Sequence, residues 1–193
     1  MAQTSTTLLA SKSHKANITA TEGASFTAST KTISTTSTSM SNLAQFDVVS
    51  ITGTSNNNKS FTVKSVATDG LSIVVEETVT DETSDGSTDT VIDHVGFVSD
   101  KQKGDGYYSQ PDGVHTVAYQ YDTSVNAEAS IRMQGSLATT PTEDDWFDIS
   151  STSPTPDQST TIHSYNFTGN FVWVRAKITG MTAGAITSIS LNS

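Results

Sequence analysis

Cysteine is absent from the 193-residue chain. Its absence removes disulfides, thiolate nucleophiles and thiolate zinc sites together. Small secreted domains often depend on disulfides, so the composition points to a reducing compartment or to stability gained by assembly. Long apolar runs are also missing. The opening MAQTSTTLLASKSHK has only Leu8 and Leu9 as large apolar residues. No signal peptide is therefore expected, and no run approaches the ~20 residues of a membrane-spanning helix. Positive charge is scarce, with ten Lys and Arg against twenty Asp and Glu for a net charge of −10.

The scarcity is uneven. Residues 1–68 carry Lys12, Lys15, Lys31, Lys59 and Lys64 against Glu22 and Asp47, a local charge of +3. Residues 69–193 carry five cations against eighteen acids, a local charge of −13. Phosphate binding needs a dense cationic surface, so this balance argues against nucleic acid as a partner. A mildly basic start suits docking on an acidic protein surface, the alternative being lysines solvated on a polar tail.

Serine and threonine supply 29 and 33 residues. Threonine favours strands and serine favours turns, and few stretches carry helix formers. The expected fold class is all-β: an extended N-terminal arm, a small β-barrel-like unit and a C-terminal antiparallel β-sandwich. The segments are an arm over 1–22, a β domain over 23–95, a linker over 96–112 and a sandwich over 113–193. In the first β unit the candidate strands are Ser25–Thr35, Asp47–Thr52, Phe61–Val66, Leu71–Glu77 and Thr88–His94. Thr52 to Lys59 and Thr68-Asp69-Gly70 carry turn chemistry between them. In the sandwich the candidates are Val114–Tyr121, Ala129–Gln134, Trp146–Ser150, Thr160–Phe167, Phe171–Ile178 and Ile186–Leu191. The Phe171–Ile178 strand alternates, with Val172, Val174, Ala176 and Ile178 on one face and Phe171, Trp173, Arg175 and Lys177 on the other.

No pattern marks a reaction centre. His14, His94, His115 and His163 are scattered without ligand spacing, so no metal is expected, although His115 and His163 could meet across a sheet. No Gly-x-Ser-x-Gly occurs among the many serines, and nothing pairs two carboxylates across a cleft. The loop from Asp81 to Asp89 could offer oxygen ligands to Ca²⁺ but departs from EF-hand spacing, and a solvated hairpin tip is the simpler reading. Glu143-Asp144-Asp145 with Asp148 is read the same way. Tyr107, Tyr108, Trp146 and Trp173 are either interface or core anchors or a glycan-facing platform. Lys12, Lys15, Phe26 and Lys31 are the candidate partner-binding residues. No catalytic residue, cofactor or metal is assigned, and the chain is expected not to be an enzyme.

Two stretches are similar to modules of tailed-bacteriophage virion structural proteins. In Ser50 to Ala67 (SITGTSNNNKSFTVKSVA), a strand ending in a Gly-Thr/Ser-Asn turn leads into a Phe-Thr-Val strand. In the C-terminal part, Ser130-Ile131-Arg132-Met133-Gln134-Gly135-Ser136 precedes an acidic loop and Trp146, and Trp173-Val174-Arg175 follows. The loop from Leu137 to Asp145 is longer than the short Gly-Asn turn of the resembled domains. The resemblance spans most of 45–193. It implies a virion component assembled in the host cytoplasm: a capsid decoration protein, or else a tail, baseplate or fibre accessory with a carbohydrate-binding sandwich. It implies partners among the major capsid protein or other virion subunits and a homo-oligomer, such as a trimer. Neither nucleic acid nor membrane is an expected partner. The arm would reach a neighbouring subunit and pair with edge strands.

Overall fold

A computed structural model describes residues 5–84, 86–108 and 113–192. The chain is all-β and antiparallel throughout its resolved pairings. The strands in chain order begin with β1 (Ser5–Leu9), β2 (Lys12–Ser13), β3 (Ile18–Ala20), β4 (Ser25–Thr27) and β5 (Thr32–Ser34). They continue with β6 (Asp47–Thr52), β7 (Ser60–Val66), β8 (Ser72–Val75), β9 (Thr90–Val98) and β10 (Gln102–Lys103). The remainder are β11 (Val114–Tyr121), β12 (Ser130–Ser136), β13 (Phe147–Asp148), β14 (His163–Thr168), β15 (Trp173–Thr179) and β16 (Ala185–Asn192). Single 3-10 turns lie at Ala28–Thr30, Asp105–Tyr108 and Glu143–Asp145.

Two compact units form. Lys15–Phe97 is one, and the described parts of Met1–His14 and Val98–Ser193 are the other. The 15–97 unit carries the order β9-β6-β7-β8-β5-β4, with β3 on the far side of β9. Alternation along these strands aims Val49 and Ile51, Phe61 and Val63, and Ile73 and Val75 into one core with Ile18, Phe26, Ile33, Met40 and Ile92. The stretch read as a single strand over Ser25–Thr35 is a hairpin. Lys31 adopts left-handed geometry (φ 51°) and reverses the chain, so Phe26 and Ile33 face each other across the pair. Gly53 makes the β6–β7 turn at φ 81°, where a Cβ would stand 2.0 Å from the Asp89 carbonyl oxygen.

The second unit is sandwich-like. One sheet has the order β1-β16-β11-β14, with β2 also on β16. The other has β13-β12-β15, with β10 on β15. Val117, Tyr119, Tyr121, Ile186, Ile189 and Leu191 are buried from the first sheet, and Ile131, Met133, Val174, Ala176 and Ile178 from the second. Residues 5–13 depart from the expectation of an extended arm. Ser5, Thr6 and Thr7 pair with Asn192, Leu191 and Ser190 of the same chain, and Leu8 and Leu9 are buried. Two adjacent leucines in a polar stretch give little periodic signal, yet their burial fixes the strand. The segment read as a linker over 96–112 likewise contains β10 and the Asp105–Tyr108 turn.

Candidate functional site

The three-stranded sheet β12-β15-β10 and its margin gather every Lys and Arg of the second unit except Lys12. Paired residues of a sheet share a face, as do residues two apart on one strand. Lys103 is opposite Trp173, Gln134 opposite Arg175 and Arg132 opposite Lys177. Lys103, Trp173, Arg175, Lys177, Gln134 and Arg132 therefore lie on the same outer face, with Lys101 two residues before Lys103. All five cations of residues 69–193 belong to this sheet or its margin.

The loop from Leu137 to Trp146 crosses the middle of that face and divides it. The Thr139 carbonyl accepts a 3.0 Å hydrogen bond from Trp173 Nε1. Glu143 accepts two hydrogen bonds from Arg175, at 2.6 and 2.8 Å, and the Trp146 ring lies 4.1 Å from the guanidinium carbon. Arg175 is only 5% exposed. At the far end Asp148 accepts from Arg132 and, at 2.9 Å, from Gln134. Burial opposes ionisation of Asp148, but those hydrogen bonds outweigh it and hold the carboxyl below its ordinary range.

The near end stays open. Tyr107 and Tyr108, on the Asp105–Tyr108 turn, are 41% and 56% exposed. Tyr107 contacts Tyr108 edge-on at 5.2 Å and Trp173 at 5.1 Å between ring centroids. Lys103 Nζ lies 4.1 Å from the Tyr107 centroid and 5.6 Å from that of Tyr108. Lys101 Nζ lies 4.6 Å from the centroid of half-buried Trp173. The turn is held because Gly106 N–H donates to the Phe171 carbonyl at 2.8 Å, and Asp105 accepts from Gly113 N–H at 2.6 Å. Among the described residues neither Lys101 nor Lys103 has a carboxylate within ion-pair distance. The result is an exposed patch of three rings and two ammonium groups.

The structure thus joins Tyr107, Tyr108 and Trp173, while Trp146 is engaged separately with Arg175. Sequence reading missed Lys101 and Lys103. Their alternation around Gln102 was the available signal, hidden because so short a strand has no period of its own. The other expected partner-binding residues are not gathered on a surface. Phe26 is 3% exposed in the core of the 15–97 unit. Lys15 donates to buried Asp47 at 2.5 Å, and Lys31 Nζ donates to the Glu76 carbonyl. Lys12 is half-buried on β2, in the other unit.

Both acidic clusters bind the protein's own groups. Glu82 accepts from the N–H groups of Ser55 and Asn56 at 2.7 and 3.0 Å, and Asp81 accepts from Ala28 N–H at 2.6 Å. Asp85 of that loop lies outside the described residues. Asp145 accepts from the N–H and hydroxyl of Thr142, both at 2.7 Å. His115 and His163 occupy neighbouring strands but are opposite Phe167 and Tyr119, not each other. Among the described residues no group of three or more His, Asp or Glu is arranged to hold a metal ion, and no helix is long and apolar enough to cross a membrane.

A concavity of about 430 Å³ opens between Phe147–Ser150 and Asn166–Thr168, with Phe171 also lining it. It lies against β13 and β14, the edge strands of the two sheets. Compared with protein-family models and with curated proteins, the chain matches none.

Proposed function

We propose that the chain is a non-enzymatic structural component of a tailed-phage virion, of the capsid-decoration type, that binds neighbouring capsid subunits. The observation that carries this reading is how the virion-like segments fold. Ser50–Ala67 makes the β6–β7 hairpin, and Ser130–Ser136 lies beside Trp173–Arg175 as β12 and β15. The resembled motifs thus form paired neighbouring strands within each unit. The mechanism is adhesion by shape. The edge strand β14, which pairs on one side with β11, can extend a subunit's sheet on the other. Residues 5–9 and 12–13 are already paired with the chain's own β16. Mass spectrometry and cryo-electron microscopy of purified source particles test the reading. Stoichiometric copies seated on the shell support it, and absence from purified particles overturns it.

A second reading, a tail or fibre accessory with a carbohydrate-binding sandwich, is favoured by one observation. Tyr107, Tyr108 and Trp173 form a partly exposed aromatic cluster.

A further inference from the structure

The second reading leaves the class of sugar open, and the charge around the rings addresses it. We propose that the patch of Lys101, Lys103, Tyr107, Tyr108 and Trp173 binds an acidic polysaccharide, one whose sugar rings carry carboxylates. This inference rests on the carbohydrate-binding reading and narrows it.

Three observations converge. Residues 98–193 carry ten acids against five cations, and all five cations sit on one sheet or its margin. Two of those, Arg175 and Arg132, are neutralised by Glu143 and Asp148. Lys101 and Lys103 instead rest against aromatic rings at the exposed end. An anionic polymer is repelled by most of this unit and attracted to one place, which gives orientation as well as affinity.

The rings select a sugar over other polyanions. A pyranose offers a flat C–H face to an aromatic ring, and a uronic acid sets its carboxylate at the margin of that face. A ring with an ammonium group beside it matches both features. Without ligand Lys103 Nζ covers the Tyr107 face at 4.1 Å and Tyr108 stands edge-on to that ring, so the ammonium moves to the ring margin when a sugar stacks. Nζ then leaves the ring for the carboxylate, exchanging a cation–π contact for a charge-assisted hydrogen bond. An acidic peptide has no such C–H face and would use only the lysines. Two lysines on a chain of charge −10 are too few for nucleic acid.

The test is isothermal titration of the full chain with polygalacturonate, dextran and polyglutamate. The variants are Lys101→Gln/Lys103→Gln and Tyr107→Ala/Tyr108→Ala, with Lys64→Gln in the other unit as control. Circular dichroism and melting verify that each variant is folded. The expected result is binding of polygalacturonate that weakens about tenfold or more in each double variant, weakens with added salt and is unchanged in the control. Dextran bound as well as polygalacturonate, with no effect of the lysine variants, overturns the acidic class while sparing the carbohydrate-binding reading. Polyglutamate bound equally overturns both in favour of an acidic protein partner. No binding of any polymer overturns both.

Discussion

Arg175 and Glu143 meet through two parallel hydrogen bonds of 2.6 and 2.8 Å beneath the Trp146 ring. The pair pins the ten-residue connection between β12 and β13 onto β15, because Glu143 belongs to that loop. It also takes a strand residue that alternation sends outward and buries it.

Removing one partner leaves the other charge desolvated. Glu143→Ala should destabilise the protein by about 3 kcal/mol, the cost of breaking a buried pair. The double variant Arg175→Met/Glu143→Leu should recover most of that loss, since apolar replacements restore packing without a stranded charge. Urea unfolding of Arg175→Met, Glu143→Leu and the double variant measures the coupling. Additive losses would show that the two groups act independently.

Acid should weaken the 15–97 unit. Desolvation pushes the Asp47 carboxyl upward, but the His94 ring 3.8 Å away and hydrogen bonds from Lys15 and Ala44 N–H outweigh it and hold its pKa below the ordinary carboxylate range. Glu22 is held at about 2, against 4.5 ordinarily, by its own N–H and those of Thr38 and Ser37. A depressed carboxylate contributes stability above its unfolded value and loses it as pH falls through the folded one. Melting temperature should therefore hold from neutrality to about pH 5 and fall below it. Asp47→Asn should flatten that fall and cost about 2 kcal/mol at neutral pH. An unchanged acid limb in the variant would exclude Asp47 as a source.

Gly53→Ala should destabilise by about 1–3 kcal/mol, because φ is 81° and the new methyl meets the Asp89 carbonyl. Chemical denaturation checks it. Gly86→Ala makes an informative comparison: its φ is 71°, but the nearest atom to an added Cβ is 3.8 Å away. It should therefore cost less.

Deleting residues 1–10 should lower the melting temperature of the monomer. The deletion strips β1 from β16 and removes the buried Leu8 and Leu9, each Leu side chain worth about 2 kcal/mol or more of burial. A free arm would leave the melting temperature unchanged. Differential scanning calorimetry distinguishes the two.

Alternation made the long strands legible. Asp47–Thr52 and Val114–Tyr121 have the bounds expected from sequence, since each places large apolar residues on one face between turn signals. The hairpin hidden in Ser25–Thr35 was not legible, because nothing local marks Lys31 for left-handed geometry. Phe26 was read as a contact residue in a basic stretch, but its position opposite Ile33 takes it to the core. Tyr107, Tyr108 and Trp173 were each singled out by type. What brings them together is the pairing of β10 with β15, and a two-residue strand has no pattern to read.

The position of β16 bears on the order of synthesis. Strands β1 and β2 leave the ribosome first, but their partner emerges only after the whole 15–97 unit has been made. That unit holds its strands within a continuous stretch and can close early. Its neighbour must wait, with Leu8 and Leu9 uncovered, until β16 supplies the strand that β1, β2 and β11 all share. Contacts of such sequence separation close slowly. A nascent chain halted before Ala185 would thus present a finished first unit beside a sticky, half-built second one, an invitation to chaperones and to exchange of β1 between copies.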